Sequence, residues 1–99
     1  MEVPMFLMLG RYTRPADEVE PHREGHLAWV QEHAAAGHFI AGAIQDGGVG
    51  GAIVAKAASR AELEEWAAAD PFVANGVFEY DIRQYEVAFT TPGVEGLQD

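Results

Sequence analysis

The sequence predicts a single α+β domain in which strand, helix, strand, strand, helix and strand follow one another along 99 residues. Three observations predict it. Met5 to Leu9 is an unbroken apolar run, two stretches with helical periodicity flank a glycine-rich loop, and apolar residues alternate near the C-terminus.

Val3 to Arg11 is the first strand, and its consecutive apolar residues demand cover on both faces, as in a central strand. Arg11 to Ala16, with Pro15, forms a loop. Asp17 or Glu20 starts a helix that runs to about Ala36, with Pro21 in an early, tolerated position. At about 100° per residue, Val19, Leu27, Val30 and Ala34 share one face, with Trp29 on its flank and Glu18, Glu24, Gln31 and Glu32 elsewhere. Gly37 supplies the stop.

His38 to Ala43 is a second strand, Asp46 to Gly51 a hairpin loop, and Ala52 to Lys56 a third strand. The loop's glycines match neither a dinucleotide-binding nor a P-loop pattern. Ser59 with Glu62 is a capping box that opens the second helix, where Leu63, Trp66, Ala67 and Asp70 share a face. That helix ends near Asp70, because Pro71 disfavours helical geometry in the residue before it. Asn75-Gly76 turns into the last strand, Val77 to Phe89. Phe78, Tyr80 and Ile82 alternate in one phase and Tyr85, Val87 and Phe89 in the other, which predicts a bulge near Arg83 and Gln84. Thr90 to Asp99 is expected to be a tail or an arm over a neighbour.

This order is the ferredoxin-like βαββαβ arrangement, with an antiparallel four-stranded sheet. Right-handed crossovers place both helices on one side of it. A chain of this length buries only roughly two thirds of its unfolded surface and has no segment left to cover the other side. The simplest cover is the same face of a second copy, so a homodimer is expected.

Hydrophobic residues make up 48% of the chain and charged ones 22%, the balance of a globular protein. Six Lys and Arg against sixteen Asp and Glu give a net charge of -10, which repels phosphate backbones and anionic lipid, so neither nucleic acid nor membrane is an expected partner. The absence of cysteine excludes disulfides, thiolate nucleophiles and Cys-based zinc sites. Met5 to Leu9 is too short for a signal-peptide core, no basic segment precedes it, and no apolar stretch is long enough to span a bilayer. A cytoplasmic location is expected.

His22, His26 and His33 form a stripe along the first helix, and His26 lies close to the middle of its apolar face. A buried histidine needs a hydrogen-bond partner. Asp70 is the candidate, since it falls on the inner face of the second helix, and a carboxylate at a helix C-terminus itself needs a compensating donor. Such a pair is an acid/base dyad: the carboxylate fixes the tautomer, and the free ring nitrogen takes or gives a proton. Asp70 also suits the cap of a turn beginning at Pro71, and its two oxygens allow both roles. With no cysteine and no Gly-x-Ser-x-Gly turn, proton transfer, isomerisation or elimination fits better than acyl transfer. His22 and His26 have the i, i+4 spacing of metal ligands but no third ligand, so no metal is expected. His33 and His38 are read as surface or helix-end residues. Arg11, Arg14 and Arg23 fall close in sequence and together suit a carboxylate or enolate, or else pair with the nearby acids.

Arg23-Glu24-Gly25-His26-Leu27, Gly37 leading into Ile40-Ala41-Gly42, Asp70-Pro71-Phe72 and Gly76-Val77 together resemble the YCII-related family over about residues 5 to 89. The resemblance implies a ferredoxin-like fold, a dimeric α/β barrel assembly, and a site at His26 and Asp70, with Arg23 at the family's arginine position. The family often has proline after the Ala-Gly of the second strand, where this chain has Ala43. The expectation is a small cytosolic homodimeric enzyme of lyase or isomerase type. His26 and Asp70 would be catalytic and Arg23 and Arg11 would bind a small oxygenated organic substrate, with no cofactor and no metal. The rival readings are a non-catalytic module that binds a small ligand or a protein, and a cofactor-independent monooxygenase.

Overall fold

The computed structural model describes residues 4–93. The first strand's start at Val3, and residues 94–99 of the tail, lie outside the described residues. Strand β1 spans Met5–Tyr12, β2 Phe39–Ile44, β3 Gly51–Lys56 and β4 Phe78–Tyr85. They form one sheet in the order β2-β3-β1-β4, with antiparallel neighbours throughout. The first crossover carries a short helix α1, Ala16–Val19, and the long helix α2, Arg23–Ala35; the second carries α3, Arg60–Ala68, and α4, Pro71–Ala74. This is the mixed α+β, ferredoxin-like arrangement. Among the described residues no helix is long and apolar enough to cross a membrane.

Strand alternation gives β1 two different faces. Phe6 and Met8 point into the helix layer and join Phe39, Ile53 and Ala55 of the neighbouring strands against Trp29, Leu63 and Ala67. A second cluster, Val19, Phe72, Val77 and Phe78, fills the other end of the same layer. Met5, Leu7 and Leu9 take the outer face and are only half-buried. On that face Leu9 lies opposite Asp81 and Leu7 opposite Arg83.

Several local expectations change. The first helix is not continuous: Glu20–His22 is a 3-10 turn with Pro21 in it. Proline lacks the N–H that an α-helical interior requires, so the turn around it is 3-10, His22 leaves helical geometry (φ -105°, ψ 0°), and α2 starts afresh at Arg23. The reset shifts the helical phase, so Val19 no longer predicts the buried face of α2. Trp29, expected on the flank, is buried to 7% exposure and donates its indole N–H to the Trp66 carbonyl (3.1 Å), whereas Leu27 is 50% exposed. The helix ends as expected. Gly37 adopts φ 80°, its N–H meets the Ala34 carbonyl, and the His38 N–H meets that of His33, a Schellman closure.

β4 ends at Tyr85, and its register against β1 is continuous, with no bulge at Arg83 and Gln84. The change of phase at Tyr85 marks the strand's end. The irregularity lies instead in β2, between Phe39 and Ala41. His33 and His38 are at the end of α2 but are not merely surface residues. Their Nδ1 atoms are 2.9 Å apart, and His38 stacks on Trp66 at 4.1 Å between ring centroids.

Candidate active site

Both motifs of the site depend on chain reversals. Asp70 follows α3 and caps α4, its Oδ1 accepting the Phe72 N–H at 3.0 Å, with Pro71 as the first helical residue. α2 passes close above. A side chain at Gly25 would put a Cβ 3.2 Å from the Pro71 ring, so glycine there lets the helix approach until His26 reaches the turn.

His26 Nδ1 lies 2.9 Å from Asp70 Oδ1 and 3.0 Å from Oδ2. Asp70 is fully buried, and the His26 side chain keeps 16% of its surface exposed. The hydroxyl of Tyr80 on β4 donates to Oδ2 at 2.7 Å. The carboxylate thus faces three donors: an imidazole N–H, a backbone N–H and a phenol O–H. An ionised carboxylate can only accept, so this set fixes the neutral His26 as the Nδ1–H tautomer and leaves Nε2 with its lone pair. The ring is clamped flat on Phe72, 4.1 Å between centroids and 9° from parallel. Burial pushes the Tyr80 phenol well above its ordinary pKa, and the Asp70 charge adds to the effect, so Tyr80 stays a donor.

His26 borders a cleft of about 390 Å³ between α2, the sheet and the β2–β3 loop. Its walls are mostly apolar, including Leu27, Val30, Ile44, Phe72 and Phe78, with Tyr12 and Tyr80 as phenol groups. Arg23 is the cationic side chain on this wall, and among the described residues no carboxylate lines it. Its guanidinium carbon sits 5.9 Å from the Phe72 ring centre. Arg23 donates its Nε–H to Glu20 at 2.9 Å, and this bond, with a further one to the Tyr12 oxygen, raises the Arg23 pKa and keeps it charged.

Of the four residues singled out from sequence, three meet here: His26 and Asp70 as a hydrogen-bonded pair, and Arg23 at the wall. Arg11 does not line this cleft. It belongs to the outer phase of β1, pairs with Glu79 and borders a separate depression with Leu9, Gln45 and Asp81. Arg14 pairs with Glu18. Tyr80 was not singled out for chemistry, although a signal for it was present: a phenol in phase with Phe78 and Ile82 on the inner side of a strand needs a polar partner. Among the described residues, no three His, Asp or Glu side chains come together to hold a metal ion.

Comparison with solved structures finds the fold in 5-chloro-2-hydroxyhydroquinone dehydrochlorinase from Burkholderia phenoliruptrix, solved in complex with 2,5-dihydroxybenzoquinone. The two chains are 22% identical and superpose with a TM-score of 0.68, covering 82% of this chain and 92% of that one. Comparison with curated proteins finds no match. The sequence itself matches the YCII-related domain over residues 5–86. The chain belongs to the YCII-related family.

Proposed function

We propose that the cleft is the active site of a small-molecule enzyme in which His26 Nε2 is the general base, and then the general acid, of an elimination or isomerisation. The observation that carries this reading is the pairing of His26 Nδ1 with a buried carboxylate while the same ring borders an open cleft. The Nε2 lone pair of the neutral imidazole takes a proton from an acidic C–H or O–H of the bound molecule. In an elimination, the electron pair left behind forms the new double bond, and the leaving group departs with its own pair. In an isomerisation, the imidazolium returns the proton to a different atom.

Arg23 has the charge and position to hold the oxyanion that develops, in an otherwise apolar cleft where such an interaction is stronger than in water. The proposed substrate is therefore a small oxygenated organic molecule, flat enough to lie beside Phe72 and His26. The dehydrochlorinase with the same fold acts on a ring of this type by its name, which agrees with the proposal.

We also propose that the protein works as a homodimer of the α/β barrel kind. The half-buried outer row Met5, Leu7 and Leu9 would meet the same row of a second copy.

The test is turnover of a panel of chlorinated and unchlorinated hydroquinones, hydroxybenzoates and lactones, followed by chloride release and ultraviolet absorbance. His26→Ala is expected to abolish turnover while costing no more than about 1–2 kcal/mol of stability, because Asp70 keeps the Phe72 and Tyr80 donors. Arg23→Gln is expected to raise KM and lower kcat together. Ligand-induced stabilisation without product from any compound would favour the non-catalytic binding module. Undiminished turnover by His26→Ala would exclude His26 as the base.

A further inference from the structure

We infer that Tyr80 is a positioning residue of this site, whose hydroxyl, by sharing the Asp70 carboxylate, holds down the basicity of His26 and fixes the carboxylate against rotation. The inference rests on the dyad reading above, but its measurement does not require turnover.

The argument begins with what the Asp70 carboxylate touches. One oxygen is held by the Phe72 N–H at 3.0 Å and the other by the Tyr80 O–H at 2.7 Å, the shortest of the site's contacts. His26 Nδ1 reaches both oxygens almost equally, at 2.9 and 3.0 Å. The carboxyl plane is thereby set from two sides, and the imidazole meets it in the middle. Loss of the phenol would leave Oδ2 with His26 alone, so the group could turn about its Cβ–Cγ bond and the ring would lose its second point of registry.

The phenol also changes the charge that His26 feels. Each hydrogen bond to a carboxylate draws negative charge toward its donor, so three donors on one acceptor weaken one another. With Tyr80 in place, Asp70 stabilises the imidazolium less than it would alone. The other titratable groups around His26 are few. Tyr12 of β1 and Arg23 of its own helix line the same cleft, and Glu20 pairs with Arg23. Among the described residues Asp70 is the group hydrogen-bonded to His26 Nδ1, and Tyr80 acts on the ring through it.

The fold places Tyr80 with some care. It lies opposite Gly10 in the β1–β4 register. A Cβ on Gly10 would come within 2.2 Å of the Phe78 ring and 3.1 Å of the Tyr80 ring, so the glycine leaves space across which both rings lie. Tyr80 packs against both core clusters, at their junction, where a phenylalanine would serve packing equally well. The hydroxyl is what packing alone does not explain.

The test is Tyr80→Phe, which keeps the ring, with the His26 pKa and tautomer followed by nitrogen-15 ring NMR and the His26 signals assigned by their loss in His26→Ala. The pKa is expected to rise by about half a unit to one unit, with Nδ1 still carrying the proton. Asp70→Asn is the control and is expected to move the pKa in the opposite direction. Where a substrate is found, the acid limb of kcat/KM should move upward by the same amount in Tyr80→Phe. An unchanged or lowered His26 pKa in a folded Tyr80→Phe protein would overturn the inference. If that variant does not fold, Tyr80→Met, which also removes the donor to Oδ2, must show a raised His26 pKa, and an unchanged or lowered one overturns the inference equally. A raised pKa with no turnover of any compound would uphold Tyr80's role while the catalytic proposal failed.

Discussion

At the scale of single residues, the site turns on Asp70 being an acceptor for three donors. Asparagine can mimic this outwardly. Its oxygen can accept the Phe72 N–H, while its NH₂ can donate to the Tyr80 oxygen and to a His26 ring that has moved its proton to Nε2. Asp70→Asn is therefore expected to fold with a loss of less than about 1.5 kcal/mol, yet to lack the base, since Nε2 would then face the cleft as a donor. Asp70→Ala leaves the donors unpaired and is expected to lose about 3 kcal/mol or more by urea denaturation. Equal losses in the two variants would contradict this account. The pairing of His26 with Asp70 was anticipated from the sequence, which set one on the first helix and the other at the end of the second, although Asp70 follows α3 and caps α4 rather than sharing a helical face. Arg11 lies apart from Arg23 for a definable reason: the apolar run of β1 gives no sign of which phase faces the helices, and only the packing of Phe6 and Met8 decides it.

At the scale of elements, the junction of α2 with β2 carries a titratable pair. His33 and His38 share one hydrogen bond between their Nδ1 atoms among Trp29, Phe39 and Trp66. Burial, and then the neighbouring His38, lower the His33 pKa from its ordinary 6.5. The sign follows directly. Below pH 6.5 the unfolded chain binds a proton that folded His33 resists, so the stability present at higher pH is lost as pH falls through the folded value. The urea midpoint is expected to fall between about pH 7.5 and about pH 5.5, and more steeply in the native chain than in His33→Gln. Identical slopes would refute the contribution of this pair. The extent of α2 was only partly legible. Its glycine stop and the capping box of α3 were plain, since Ser59 accepts the Glu62 N–H and Glu62 reaches back to Ala58. The 3-10 turn at Pro21 was not, because a proline near a helix start is compatible with either geometry.

At the scale of the whole molecule, the order of elements was legible because each boundary has its own chemistry: proline at Pro15 and Pro71, glycine at Gly37 and Gly76, and the glycine loop between β2 and β3. The sheet order β2-β3-β1-β4 follows from connectivity and handedness. The half-buried aliphatic row Met5, Leu7 and Leu9 on the outer face is what the homodimer proposal rests on. Sedimentation at micromolar concentration is expected to give twice the chain mass, and Leu7→Glu is expected to give a monomer with the His26 cleft intact. A monomeric native chain would contradict the proposed assembly and leave the cleft untouched.

The most direct test of the central claim, that Asp70 holds His26 as a base facing the cleft, is the nitrogen-15 spectrum of the His26 ring in the native protein just above its pKa. The account predicts a protonated Nδ1 and a bare Nε2. A His26 that carries its proton on Nε2 would contradict it.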